Sequence, residues 1–585
     1  MDASSSQSSS ALVLRAVGFL ILLVLARFFH RMHQVRTLVR RYHKENDLEM
    51  LPHSYLLGHI LVTAKIMAKY PRDIYPLSVA TLVLQHYPHL EKNGFFVMDS
   101  WPFVEPMIYV FDPEMSAQFT QAYSLPKAHM VKSEFRPLTQ NKDLVTLDGP
   151  EWKRLRSIYN PGFSAKNLMS MAPVFLEEIR VFIDRLRAAA KSGEVLRIEE
   201  PITNLATDVI GRAVLGTRMH CQTRHNPFQK ALAKQISWVC PEYTPPSLLK
   251  LINPARLPLM WNYNRIMRNY LLPILKQTVV SHQAGDGGAD MMNPAGPGPG
   301  PGDFKTKTVV SLAARAYLAE KKGEGDQPPS SVTVPSSGRD RDDVQLDREF
   351  IDMAIAQFVI FIFAGHDTTA VTLCFAYHLL SQNPSCLAKL RAEHDAVFGS
   401  QDRDPSPSAA VESSLCANPN LLNSLPYTTA VVKETLRLFP PAATVREGQP
   451  DFFLRDPRTG KRYPTAGLLV HQNSYATHHL ESLFPRPFEF VPERFLASEG
   501  EPLYVRKNAF RPFELGPRAC IGQELAVMEI KMILAMTVRE FEIESCFPRP
   551  GEPGAREILG HTVYQVGHMT GHPKDGMPVR VRVRG

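Results

Sequence analysis

The chain lacks most of what would brace a small secreted protein. Its 585 residues include seven cysteines, an odd number, and no two of them stand as C-x-x-C. Their wide spacing excludes a disulfide framework and a zinc site and fits a reducing compartment. No Asn-x-Ser/Thr sequon occurs, which disfavours a lumenal body. No long apolar or heptad series repeats along the chain, so collagen-like, coiled-coil and multi-span membrane classes are out. Nor is one charge sign dominant. Lys and Arg number 66 against 58 Asp and Glu, a net +8, and part of that excess sits in one N-terminal cluster. Nucleic acid is therefore not an expected partner. What remains is globular: 44% hydrophobic and 21% charged residues, enough to build a large core and to exclude wholesale disorder.

Residues 1–10 are polar or small, and Ala11 to Phe29 then reads ALVLRAVGFLILLVLARFF. The uninterrupted apolar stretch, Ala16 to Ala26, is shorter than the roughly 20 residues that a span needs. Counting through Arg15 and Arg27 restores the length, since each arginine lies near an end and can snorkel to the headgroups. Arg27, Arg31, Arg36, Arg40, Arg41 and Lys44 follow, which by the positive-inside rule puts the body in the cytosol. A cleaved signal peptide, cut after Val24-Leu25-Ala26, is the alternative. The basic run and the cysteine usage favour a single-pass anchor over residues 11–29, a lumenal tail over 1–10 and a basic juxtamembrane segment and hinge over 30–59.

The body, residues 60–585, opens with mixed structure. Helical periodicity over 165–192 ends near Gly193. Two Gly-, Pro- and Ser-rich inserts, at about 284–306 and 323–343, flank a helix-like segment from Thr308 to Lys322 and read as flexible surface connections. No proline interrupts Arg348 to Asn383. That run is apolar nearly all round, which predicts a central buried helix. Asp352, Gln357, His366 and Asp367 make the rival reading, a second membrane span, expensive. Helices are also expected at about Leu425–Phe439 and Gly522–Phe541.

One stretch carries chemistry: Phe513-Glu-Leu-Gly516-Pro-Arg518-Ala-Cys520-Ile-Gly522. It places one cysteine in a Gly-bounded turn before a helix N-terminus, whose unpaired N–H groups and dipole favour a thiolate. The glycines let a flat ligand approach, and Arg518 offers a cation to an acidic group on it. A lone thiolate does not suit zinc. It suits the single proximal ligand of haem iron. For the other six cysteines, structural burial is the reading.

This stretch resembles the signature F-x-x-G-x-R-x-C-x-G of the cytochrome P450 family. All five fixed positions match, where chance would give a match on the order of once in ten thousand such chains. The resemblance runs from about residue 50 to the end. It implies a mostly α fold with smaller β-sheets (α+β), with haem b between the long central helix and the cysteine-loop helix, and an N-terminal transmembrane helix. Further motifs follow the family's pattern. Glu434-Thr-Leu-Arg437 matches E-x-x-R, with Arg494 of Pro492-Glu493-Arg494-Phe495 as the third member of a buried structural cluster. Ala364-Gly365-His366-Asp367-Thr368-Thr369 matches the family's acid–threonine pair. There Gly365 and Thr368 are expected to loosen the helix over the iron, Thr368 to hydrogen-bond reduced oxygen, and Asp367 to relay protons. His366 holds the variable position and receives no role. Trp152 and Arg156, four apart on one helix face, are expected to reach a haem propionate, as is Arg446. By family geometry the substrate ceiling includes Phe361, Ala364, Ala443, Thr444 and Val445, with Met569 in the turn His568 to Thr570.

The resemblance therefore implies a monooxygenase that inserts one atom of O2 into a lipophilic small molecule. No flavodoxin- or ferredoxin-like segment is seen, so NADPH–cytochrome P450 reductase is the expected electron partner. The sequence is similar in texture to fungal secondary-metabolism members acting on polyketides, on mycotoxin routes, or on terpenoids, at the endoplasmic reticulum membrane. Two other functions use the same fold: reductase-independent peroxide rearrangement or dehydration, which the intact Asp367–Thr368 pair speaks against, and non-catalytic haem sensing.

Overall fold

The computed structural model describes residues 3–239, 249–250, 252–283, 307–323, 345–399, 406–567 and 569–584. Most of the expected inserts, and His568, lie outside them. Seven helices position the site: α1 (Ala3–Glu45), α2 (Gly149–Tyr159), α3 (Ala172–Ser192), α4 (Glu199–Leu215), α5 (Arg348–Gln382), α6 (Pro426–Leu438) and α7 (Gln523–Thr537). Proline near the start of α2, α3 and α6 fits positions whose N–H groups are unpaired in any helix. At the C-terminal end of α3, Gly193 takes φ +70°, the left-handed turn that stops a helix.

The 35 residues of α5 extend about 52 Å. By length and apolarity this helix could cross a membrane, but 83% of its apolar window is buried inside the protein, so it is the core helix. The core it centres on joins α3, α4, α6 and α7 through Phe175, Ile210, Phe358, Val431 and Ile533, all at most 2% exposed. Each such side chain contributes about 1.5–3 kcal/mol by leaving water.

Sheets are small. The strands that matter here are β1 (Phe95–Met98), β2 (Met107–Val110), β3 (Thr444–Glu447), β4 (Leu469–Gln472), β5 (Gln565–Gly567) and β6 (Gly571–Pro573). The largest sheet has the order β1-β2-β4-β3, with β2 and β4 parallel and the outer pairs antiparallel. The β5–β6 hairpin packs beside α5.

The apolar stretch and the basic segment after it form one continuous helix, α1. Its apolar side chains are exposed from Leu14 to Phe29, and Met32, Val35, Val39 and Tyr42 then bury against the body. Segment 51–59 is pinned where it meets α1. Arg36 is fully buried, paired with Asp99 and donating to the carbonyls of Tyr55, Leu56 and Trp101.

Candidate haem and substrate site

A cavity of about 310 Å³ opens between α5 and the cysteine loop. Deep in a helix otherwise packed all round, Ala364 is exposed, and Gly365 and Thr368 are half-buried, because they face this space. Cys520 is exposed to the same cavity. Phe513, Arg518 and Gly522 line it as well.

The cysteine loop is fixed by its own backbone. Cys520 N–H donates to Phe513 O (2.8 Å), and Ala519 N–H donates to Gly516 O (3.0 Å). Gly516 has φ +93°, and a Cβ there would sit 2.4 Å from Thr120 O, so only glycine fits. The backbone N–H groups of Gly522 and Gln523, and the charge of Arg156, all favour the Cys520 thiolate. Burial outweighs them and pushes the thiol up. A metal ion bound at the sulfur would favour the thiolate further. Among the described residues no group of three or more His, Cys, Asp or Glu could hold a bare metal ion. Cys520 as a lone thiolate donor fits haem iron instead.

The rim of the cavity is cationic and underpaired. Arg446 is fully buried on β3. Its Nη1 donates to Leu125 O (3.2 Å), while Nε and Nη2 have no partner among the described residues. Burial lowers its pKa to about 10, with Glu514 opposing and Arg518 adding to the shift. Lys127, which sequence reasoning missed, also lines the cavity, with Nζ 3.0 Å from Thr444 Oγ1. Burial, then Arg446 and Arg518, push its pKa well down. Arg518 pairs with Asp148, which stands at the N-cap position of α2 but turns its carboxylate to Arg518 and Lys132. Buried donors without acceptors are costly. Two carboxylates on a flat apolar ligand would satisfy this rim, so the residues present fit haem and its propionates.

Trp152 and Arg156 do share a face of α2, but the face is used differently from the expectation. Trp152 does not line the cavity; the Arg518 guanidinium stacks 4.6 Å over its ring. Burial lowers the Arg156 pKa, and Cys520 works against that shift.

Glu434, Arg437 and Arg494 come together as the sequence suggested, all at most 1% exposed. Arg437 grips Glu434 through two bonds of 2.8 Å, and Arg494 Nε reaches Glu434 Oε1 at 3.0 Å. The remaining guanidinium donors go to the carbonyls of His478, Pro485, Arg486, Pro487 and Glu489. His478, also missed from sequence, carries this order to the cysteine loop. Its Nδ1 bonds Arg437 O (3.1 Å), so Nε2 is the acceptor for Arg511 N–H (3.0 Å).

On the α5 side, Phe361 packs with Tyr159 and Phe163 at ring distances of 5.5 and 5.2 Å. Phe361, Ala364, Ala443 and Thr444 line the cavity. Val445 and Met569 do not. Side chains alternate along a strand, so with Thr444 and Arg446 facing the cavity, Val445 turns to the cluster of Met107, Ala128 and Leu469. Met569 packs onto the main core. Gly365 also departs from expectation. The helix does not break there, and the space a Cβ would take is filled by Ile210 of α4 at 2.6 Å. The glycine permits close helix approach and does not leave a gap. Thr368 Oγ1 donates to Ala364 O (2.9 Å). His366 Nδ1 bonds Ile362 O (2.7 Å).

The cytochrome P450 family model matches residues 81–287 and 336–556. The chain belongs to the cytochrome P450 family. It is 37% identical over 575 residues to the cytochrome P450 monooxygenase polC of Polytolypa hystricis, covering 97% of this chain and 95% of that one. It is 31% identical to the cytochrome P450 monooxygenase acrF of Aspergillus aculeatus, covering 88% and 99%. A solved cytochrome P450DA haem domain superposes with a TM-score of 0.63 at 20% identity, covering 91% of this chain and 97% of that one, which speaks to the fold. The cytochrome P450 reading of the sequence is thereby borne out. The protein is an oxygen-incorporating oxidoreductase of the haem-thiolate class.

Proposed function

We propose that this chain inserts one atom of O2 into a lipophilic small molecule of fungal secondary metabolism, a polyketide, including those on mycotoxin routes, or a terpenoid. NADPH–cytochrome P450 reductase is its electron source, and the membrane of the endoplasmic reticulum its site, with the catalytic body cytosolic. One observation carries the reading: Cys520 and the Ala364–Thr368 face of α5 open onto one cavity whose rim holds the half-unpartnered Arg446. The fungal monooxygenases among its relatives support the metabolic setting. The bare apolar stretch of α1 supports the anchor, with Phe103 and Leu56 exposed beside the segments that grip its lower half.

In this reading the haem, when bound, supplies dioxygen reduction, favoured by electron donation from a thiolate ligand. Cys520 is that ligand. Arg446, Arg518 and Lys127 hold the carboxylates at the rim, with Arg156 close behind. Phe361, Phe163, Ile210 and Ala443 keep water out and orient an apolar substrate. Thr368 turns its hydroxyl from Ala364 O into the cavity to donate a hydrogen bond there. Asp367, the residue before it on α5, moves protons to it.

The test is turnover in microsomes carrying the full chain, with a fungal reductase, NADPH, labelled dioxygen and a panel of polyketides and terpenoids. The expected result is a product heavier by one labelled oxygen atom, absent from Cys520→Ser. Conversion without NADPH or label overturns the proposal in favour of peroxide rearrangement.

A further inference from the structure

Asp367 does not line the cavity. Its carboxylate turns toward the β5–β6 hairpin. Oδ2 accepts a hydrogen bond from the Thr570 hydroxyl, and Oδ1 lies 3.4 Å from His572 Nε2. The same Thr570 Oγ1 is 3.2 Å from His572 Nε2. On the ring's other edge, His572 Nδ1 meets Glu199 Oε1, in the first turn of α4, at 2.5 Å. Asp367 itself is buried, whereas the side chains of His572 and Glu199 keep 23% and 20% of their surface exposed. A continuous line of exchangeable protons thus runs from the protein surface to the buried carboxylate beside Thr368.

We propose that Glu199, His572 and Thr570 form the solvent-side limb of the path that supplies protons to Asp367. The proposal rests on the monooxygenase reading of the cavity. The step balances without any outside oxidant. The His572 Nε2–H bond breaks as that proton joins Thr570 Oγ1. The proton already on Thr570 passes to Asp367 Oδ2. The ring is left neutral with its Nδ1–H held by Glu199, and the vacant Nε2 recovers a proton from solvent when the ring turns that edge to water and back. Asp367 then gives its proton up toward Thr368 and returns to the carboxylate.

The electrostatics set where the proton rests. Burial works against charge on His572, but Asp367 and Glu199 outweigh it and raise the ring to about 10. Burial would also raise Asp367, yet His572, His366 and the Thr570 hydroxyl hold it well below the usual carboxylate range. At rest the proton therefore sits on the ring. Transfer to Asp367 is uphill and proceeds only when the cavity takes the proton onward, which keeps the path closed between turnovers. A plain ion pair stapling the hairpin to α5 would place the same groups together but would have no use for a cation that can release its proton. That difference is testable, because arginine keeps the charge and does not deprotonate.

The full-length protein is solubilised and its histidine rings are labelled with nitrogen-15. One ring resonance, absent from His572→Gln, is expected to stay protonated to above pH 9, and to titrate at least two pH units lower in Asp367→Asn. A ring titrating near its ordinary pH in the wild-type protein overturns the proposal whether or not haem is bound. The carbon-monoxide spectrum of the reduced protein reports separately on the haem-thiolate site, and its failure would count against the cavity reading alone. With reductase and NADPH but no substrate, oxygen reduced by one electron leaves as superoxide. Oxygen reduced by two electrons and given two protons leaves as hydrogen peroxide. His572→Gln and His572→Arg are both expected to raise the superoxide share at least threefold by spin trapping, and Glu199→Gln less. If His572→Arg matches the wild-type protein while His572→Gln does not, the ring only holds Asp367 in place and the relay is wrong.

Discussion

Two buried clusters of arginine lie near the cysteine loop, and they are built on opposite plans. Around Glu434, two guanidiniums share one carboxylate, and their other donors end on backbone carbonyls. Around Arg446, two guanidinium nitrogens have no partner among the described residues, and Lys127 and Arg518 bring further donors to the same rim. Residue type and burial are alike in both, so neither separates a structural cluster from a ligand site. Saturation does. A closed network is finished by the fold, whereas an open one is finished by something that arrives later.

That contrast predicts opposite signs. Glu434→Ala leaves two buried cations without their counter-charge and should cost about 3–5 kcal/mol, the size seen when a buried pair loses one member. Thermal unfolding of the protein before haem loading would read it. Arg446→Leu removes a cation that is underpaired in the same protein, so its stability should hold or rise, while retention of haem falls about tenfold, or about 1.4 kcal/mol. Equal destabilisation by both substitutions would erase the distinction.

The sequence exposed one cluster far better than the other. Glu434 and Arg437 lie three apart on one helix, so their meeting is a local fact. The cysteine loop and the unbroken α5 are local in the same sense. Lys127, His478, His572 and Glu199 are single polar residues on separate elements, and only the tertiary path brings them to the site. Val445 was misassigned because its face depends on the register of β3 against β4, which pairs it with His471 and which no short pattern fixes. At Gly365 the residue type was right and the reason differed, since the partner, Ile210, is over 150 residues away.

A second pair, of histidines, sharpens the comparison through pH. His478 belongs to the closed network, and burial, with Arg437 adding to it, lowers its pKa to about 3. The unfolded ring has a pKa near 6.5. Below that the unfolded state binds a proton that the folded state refuses, so this ring costs stability at about 1.4 kcal/mol per pH unit as pH falls from about 6.5 toward 3. His572 is the reverse. Its folded pKa is raised to about 10, so its contribution is fully present below about 6.5 and is lost as pH rises toward 10, with the same slope. Denaturant unfolding across pH should show His478→Gln flattening the acid limb alone, and His572→Gln flattening the alkaline limb together with the share of the acid limb that Asp367 owes to His572.

The smallest effect tests where the open region ends. Thr444 and Arg446 face the cavity and Val445 faces away, so neighbours in one strand belong to different regions. Val445→Ala should cost about 1 kcal/mol or less through lost packing at a half-buried site and leave the ratio of oxidised products unchanged. Ala443→Val adds two methyl groups to the cavity wall. It should change the product ratio by several-fold at nearly constant stability, since one methylene in an apolar pocket is worth about 1–3 kcal/mol of discrimination. Product profiles by mass spectrometry, set beside melting curves, separate the two. A changed product ratio in Val445→Ala would mean that β3 can shift its register against β4, and that the wall of the cavity is less fixed than the cluster that supports the cysteine loop.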